Sequence, residues 1–363
     1  MARHASPEMT GMTKTGIRNM VLAMMALTLF VVAMIASYSG AFARPTLHHL
    51  TVAVSAPAQV VDAVRGQDAL TVNVVGDDAA ARQQVLDRAA DSAFVVAPTG
   101  QMKIYVAGGG GKSVATAAEA VGRAIALKGR FTPAVEDVAP TSAADPSGTV
   151  EFYAVIFLSI GASLGATAFG YIMGKVRRPG TFLLRTLTLS GYSALLAGVV
   201  AVYVDAMLSA LPGHPWAVFG VLWLYSMAVG GAVTGAAAAF GSAASMLLTL
   251  FLVVVGNAAA AGPVGRPLLS PFYATFTMIV PQGSGVALLR SISYFGGHGA
   301  ATPLLTLGVW GAAGCLLAAL ATASRVNYRA LRERIAEPVR PVLRPRHLSP
   351  AGRHAVGAGA DVG

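Results

Sequence analysis

The sequence predicts an α-helical polytopic membrane protein with six transmembrane helices, arranged one plus five. A small extracytoplasmic α/β domain follows the first helix and a re-entrant hairpin precedes the last. Three observations predict this. Hydrophobic residues make up 55% of the 363 and charged residues only 12%, with a mean hydropathy of +0.63, outside the range of ordinary soluble domains. The apolar residues fall in runs of about twenty, the length that crosses a bilayer core. The only polar stretch of domain size, 44–149, follows the first run and alternates strand-like with helix-like segments.

The elements follow in chain order. Residues 1–18 are predicted as a cytoplasmic N-terminus, with Lys14 and Arg18 ahead of a first span over 19–43. Ala41-Phe42-Ala43 has the form of a signal-peptidase site, but the apolar run from Met20 to Ala36 is longer than a usual signal core. An uncleaved anchor is therefore expected, and by either reading the chain after Arg44 lies outside the cytoplasm. Within 44–149, LTVAVSA, ALTVNVV, SAFVVAP and MKIYVAG read as strands. Ala58–Arg65, Asp78–Ala90 and Ser113–Leu127 read as helices, the second with an acidic first turn that suits the helix dipole. Pro133 to Gly148 reads as a Pro/Ser/Asp-rich linker. A membrane domain, 150–323, then carries five spans at roughly 152–173, 187–208, 216–240, 243–261 and 301–323. Its small-residue runs, GASLGATAFG and AVGGAVTGAAAAFGSAAS, suit close helix packing. Residues 324–363 read as a basic, disordered cytoplasmic tail.

The formal net charge of +10 would suit a nucleic-acid binder, but its placement argues otherwise. Arg325, Arg329, Arg332, Arg334, Arg340, Arg344, Arg346 and Arg353 fall in the tail, and Lys175, Arg177, Arg178 and Arg185 in one short loop. That is the bias of cytoplasmic loops, so the expected partners are membrane lipids and not nucleic acid. Alternation from that loop puts both termini in the cytoplasm of a bacterial plasma membrane. The lone Cys315 offers no disulfide, and no Cys/His spacing suggests a metal or cofactor.

Catalytic signals are weak. AGGGGKS (107–113) invites a phosphate-loop reading, but the glycine that motif needs five positions before its Gly-Lys pair is Val106. A turn between strand and helix is expected instead, with backbone amides that could hold an anion. No Ser/His/Asp, paired-carboxylate or zinc constellation stands out, so no enzymatic activity is expected. Glu151 and Asp205 lie near span ends, which weakens a proton-coupled mechanism. Asn257 reads as a helix-packing residue.

The stretch from Gly256 to Gly297 is apolar enough for membrane depth, yet Gly and Pro break it too often for one straight helix. Leu268–Val280 is expected to enter the outer leaflet and return. Val286–Tyr294 reads as a short helix, with Arg290 at its polar edge anchoring to headgroups and Tyr294-Phe295 at the interface.

The elements Gly256-Asn257, Pro271-Phe272, Pro281-x-Gly283 and Leu289-Arg290, followed by Tyr294-Phe295-x-Gly297, resemble the C-terminal membrane region of the YhgE/Pip (phage infection protein) family. They are similar also to the fungal nitrosoguanidine-resistance membrane proteins, and both look like relatives of type 2 ABC-transporter permeases. The resemblance implies a six-span permease-like fold with an external re-entrant hairpin. It implies a membrane subunit, homodimeric or heterodimeric, of an exporter of a lipid-like, peptide or drug-like molecule, served by a separate ATP-binding subunit. By position that subunit would dock on Gly174–Thr186, with Lys175, Arg177 and Arg178. The sequence departs from the pattern in having only about eighteen residues, Pro7 among them, ahead of the first span, short for an amphipathic connecting helix. A non-transport envelope protein (secretion accessory, scaffold or surface receptor) acting through 44–149 stays open beside it.

Overall fold

The computed structural model describes residues 14–173 and 179–325. It is 69% helical, with one small sheet. Helix α1 (Lys14–Phe42) is apolar along its length and leaves nearly all of that surface exposed. Its last turns hold it to the rest of the fold. Ser37 Oγ donates to Val254 O at 2.8 Å, and the Phe42 ring meets Phe152 edge-on.

The chain then builds a sheet domain from β1 (Leu50–Ser55), α2 (Ala58–Arg65), β2 (Leu70–Val74), α3 (Asp78–Leu86), β3 (Ser92–Val96), β4 (Gln101–Val106), α4 (Lys112–Lys128) and β5 (Thr132–Asp137). The strand order is β2-β1-β3-β4-β5. Helices join the parallel pairs β1–β2 and β4–β5, while β3 and β4 form an antiparallel hairpin. Alternation along the strands fills both faces. Val52, Val54 and Ile104 pack under α2 and α4, and Ala53, Ala93 and Tyr105 pack under α3. Gly122 lets α4 approach closely, since a Cβ there would lie 2.9 Å from both Phe94 and Ile104. Asp77 caps α3 by accepting from Ala80 N at 2.7 Å.

Four of these strands are those the alternating pattern predicts. The fifth corrects the linker reading, because residues 132–137 extend the sheet beside β4. Pro133 is tolerated there because β5 is an edge strand, where a missing N–H faces no partner. Helix α3 is also shorter than the predicted Asp78–Ala90. It ends at Leu86, and Arg88 turns into the left-handed region at φ +60°.

The helical bundle comprises α5 (Val150–Met173), α6 (Pro179–Ala201, continued by a π turn over Val202–Met207), α7 (Pro215–Phe240), α8 (Ser242–Phe251, continued by a π turn over Leu252–Gly256), α9 (Pro271–Ile279), α10 (Pro281–Tyr294) and α11 (Ala301–Ala323). Among the described residues five helices are long and apolar enough to cross a membrane: α1, α5, α6 with its π turn, α7 and α11. Helix α8 with its π turn covers only Ser242–Gly256, shorter than the predicted span 243–261, because the chain leaves helical geometry for turns after Ala258.

Helix α7 is the most buried of the long helices. It reaches α11 through glycine. A Cβ at Gly314 would strike the Gly231 carbonyl carbon and oxygen, and one at Gly235 the Gly314 backbone, the close approach that small residues permit. Between α5 and α6, the Tyr192 ring lies over Gly165 and its hydroxyl donates to Gly161 O at 3.0 Å. Helices α9 and α10 are bent by 74° at Val280-Pro281. Both ends of this pair lie against the sheet domain or the segment leading into it. At the entry, His48 N donates to Pro267 O and Gly265 N to Ser113 Oγ. At the exit, Tyr294 and Phe295 pack on Gly109 and Gly110.

Candidate functional site: an arginine-lined cleft at the domain junction

The stretch from Gly256 to Gly297 reaches from inside the bundle to the sheet domain. The π turn after α8 widens the helix, and the Leu252 carbonyl there accepts from Gln282 Nε2 at 2.9 Å as well as from a main-chain amide. The same Nε2 donates to Ser159 Oγ of α5 at 3.0 Å. Gly256 makes room for this amide, since a Cβ there would lie 2.6 Å from Gln282 Oε1. Asn257 is fully buried and faces the Tyr38 hydroxyl, but its side chain reaches no hydrogen-bond partner among the described residues. Pro271 and Pro281 start α9 and α10, where a missing N–H costs nothing. Gly283 lies beside the bend, and a Cβ there would collide with the Thr277 carbonyl. After α10, Gly296 and Gly297, at φ +59° and +92°, turn the chain into α11.

At the sheet-domain end the run reaches Arg290, which is 4% exposed. Its Nη1 donates to Gly110 O at 3.2 Å and Ala261 O at 3.1 Å. Its Nη2 donates to Gly148 O at 3.2 Å and Gly262 O at 3.1 Å. This corrects the expectation of a headgroup anchor at a polar edge. Four carbonyls of three turn segments need donors, and a planar guanidinium can serve them together. Arg290 thus ties the sheet domain, the segment leading into α5 and the turn after α8 to one helix.

The glycine run is built for the same junction. A Cβ at Gly109 would enter the Tyr294 ring, one at Gly110 would lie 3.4 Å from Phe295, and one at Gly111 would lie 3.4 Å from the Arg290 guanidinium. The four amides are already used. Gly108 N donates to Asp137 Oδ1, Gly109 N to Ala139 O, Gly110 N to Ala107 O and Gly111 N to Gly108 O. The four glycine amides are therefore not free for an anion, and of the turn's amides those of Lys112 and Ser113, at the start of α4, stay outside this set. Next to it, Glu151 is fully buried and faces the Tyr294 hydroxyl, with neither group in hydrogen-bond contact among the described residues.

Beside Arg290 lies a cleft of about 610 Å³ between the sheet domain and the α9–α10 pair, within the size range of small-molecule sites. Arg88, Arg266, Arg290, His48, His49 and Asp91 supply its charged and titratable lining. Arg88 Nη1 donates to Ala287 O at 2.8 Å and Ser291 Oγ at 2.6 Å, and its guanidinium carbon lies 5.0 Å from the centre of the Phe295 ring. Burial, and then the neighbouring Arg290 charge, lower its pKa to about 10, which leaves it charged at neutral pH. Burial raises the pKa of Asp91, against the opposing pull of the Thr51 amide and of the Arg88 and Arg266 charges. Arg266 is exposed and donates through Nε to Ala274 O at 3.3 Å. None of the three arginines forms a salt bridge among the described residues.

Backbone strain collects at the same place. Five non-glycine residues among those described have positive φ, and three of them, His49 (+50°), Arg88 (+60°) and Ala261 (+56°), line this cleft. Such conformations persist only where the surroundings hold them. Sequence reasoning did not single out Arg88, His49 as a cleft residue, or Gln282. Arg88 reads as the polar end of a helix, and Gln282 as one polar residue in a broken apolar stretch. The available signal was the run of four glycines, which marks a close approach. A second, apolar cavity of about 280 Å³ lies between α6, α7 and α11, beside Leu189, Leu224 and Cys315. Lys175, Arg177 and Arg178 lie outside the described residues.

Compared with protein-family models, with curated proteins and with solved structures, the chain matches none.

Proposed function

We propose that this chain is a permease-like membrane protein, the membrane subunit of an ABC-type exporter of a lipid-like, peptide or drug-like molecule. In this reading it crosses a bacterial plasma membrane six times. Both termini are cytoplasmic, and the sheet domain and the α9–α10 bend are on the outer side. ATP hydrolysis comes from a separate subunit, and the protein works as a homodimer or heterodimer. The single observation that supports it best is the bent α9–α10 pair. It is apolar, its tip is held in the bundle by Gln282, and both of its ends return to the sheet domain side. Broken helices at membrane depth are tolerated where protein satisfies their backbone. The short α8 is counted as a crossing because Gly241 joins it to the end of α7, while Ala261 and Gly262 beyond it bind Arg290 at the opposite end of the bundle.

The second reading, a secretion accessory, scaffold or surface receptor, draws on the cleft being shared between the sheet domain and the bundle, so that the domain is itself part of the site. Affinity isolation from native membranes in mild detergent separates the two. The exporter reading expects a nucleotide-binding subunit in near-stoichiometric amount. Secretion components without such a subunit would contradict it.

A further inference from the structure

We infer that the cleft between the sheet domain and the α9–α10 pair binds the phosphate headgroup of an anionic amphiphile, with Arg88 and Arg266 as the groups that grip it. Three guanidinium groups line one cavity with a single carboxylate, Asp91, and none of the three is paired in a salt bridge among the described residues. Concentrating like charges is costly unless an anion joins them. Arg290 has committed both terminal nitrogens to four carbonyls, so it contributes charge but few free donors. Among the described residues Arg88 uses only Nη1, and Arg266 only Nε, in the hydrogen bonds they make. Their remaining N–H groups form the planar forks that suit phosphate oxygens.

The second line is shape and strain. Arg88 reaches the cleft from a left-handed backbone position just past α3, a placement that the domain's packing has to enforce. His49 and Ala261, which also line the cleft, are strained in the same way. Strain gathered around one cavity marks a site held in a set geometry.

The third line is the nature of the remaining wall. Met278 of α9 and Thr302, Pro303 and Thr306 of α11 also line the cleft. Met278 and Thr302 also belong to exposed helix surface, next to exposed Ile279, Leu304 and Leu305. An amphiphile with its phosphate among the arginines can thus lay its chains along α9 and α11. A free anion would leave the exposed apolar surface of Met278, Ile279, Leu304 and Leu305 unused. The binding site stands whether or not the ligand is carried across the membrane, so it does not depend on the exporter reading.

The test uses the full-length protein in detergent, with short-chain phosphatidic acid, the matching diacylglycerol and inorganic phosphate as probes. Binding is read by native mass spectrometry and ligand-induced thermal shift. Phosphatidic acid should bind well above diacylglycerol. The variant Arg88→Gln/Arg266→Gln should bind it at least about tenfold more weakly, Arg88→Lys/Arg266→Lys should recover part of the loss, and Arg123→Gln, in an exposed pair with Glu119, should change nothing. If the double variant does not fold, Arg266→Gln alone, an exposed side chain, carries the test and should still weaken binding several-fold. Equal binding of phosphatidic acid and diacylglycerol, or unchanged affinity in the folded glutamine variant, would overturn the proposal. Inorganic phosphate binding as tightly as phosphatidic acid would assign the site to free phosphate and overturn the amphiphile. Loss of a co-purifying ATPase with lipid binding intact would count against the exporter reading only.

Discussion

Replacing Arg290 with alanine removes four hydrogen bonds at once, at 3.1–3.2 Å, from carbonyls of Gly110, Gly148, Ala261 and Gly262. A bond to a charged group contributes about 1.5–3 kcal/mol net, and stranding a buried acceptor costs a similar amount. Four such bonds set an upper bound near 6–12 kcal/mol. Water entering the vacated space restores part of this, which leaves a loss of about 3–6 kcal/mol. For a fold of this size that is a drop in melting temperature of about 4–8 °C. Arg290→Lys keeps the charge but offers its donors from a single nitrogen, so it should lose about half as much. The assay is thermal unfolding of the detergent-purified protein, together with hydrogen exchange over 107–112 and 145–150. Exchange should rise in both segments, because the same side chain holds both. An alanine variant that melts within about 1 °C of wild type, with unchanged exchange in these segments, would refute the role given to Arg290.

Further expectations follow from the same contacts. Gly109→Ala drives a methyl into the Tyr294 ring and should cost about 1–3 kcal/mol by overpacking, while Gly76→Ala, with nothing near its Cβ, should leave the melting temperature unchanged. Gly314→Ala must displace the Gly231 backbone. It should lower stability by a similar amount, seen as earlier thermal unfolding without loss of helical circular dichroism. Asp91 has its folded-state pKa raised above the ordinary 3.8, chiefly by burial. Between those two values the folded protein holds a proton that the unfolded chain has released. Stability therefore falls as pH rises through that window and stays reduced above it. Asp91→Asn should remove this fall, so melting temperature against pH should be flatter for the variant, and parallel curves would contradict the assignment.

Much of the architecture is legible in the sequence because burial leaves a periodic trace. The apolar runs of α1, α5, α7 and α11 stand out by length, and β1 to β4 by their β-branched residues. The edge strand β5 does not. TPAVED carries a proline and two acids, and only one neighbour fixes it. Helix α8 is overread because its apolar run continues through a π turn and into the turns that follow, where hydropathy has no power to mark the break. At the site, the glycine run is legible as a turn, but its purpose is not. The residues it admits, Arg290, Tyr294 and Phe295, lie about 180 positions away. Burial of Arg290 depends on carbonyls from three distant segments, which no local pattern of charge or hydropathy encodes. Arg88 is hidden for the same reason, since its contacts with Ala287 and Ser291 span about 200 residues.

The layout of crossings is what the whole account rests on, and site-directed labelling in intact cells measures it. With the native Cys315 replaced by alanine, single cysteines are placed at Lys112 in the sheet domain, at His298 after α10, at Ser242 at the start of α8, and at Arg334 in the basic tail. A membrane-impermeant maleimide should label Lys112→Cys and His298→Cys from outside, and label Ser242→Cys and Arg334→Cys only after the membrane is opened. Outside labelling of both Lys112→Cys and Arg334→Cys would mean an even number of crossings between sheet domain and tail, and would contradict the account.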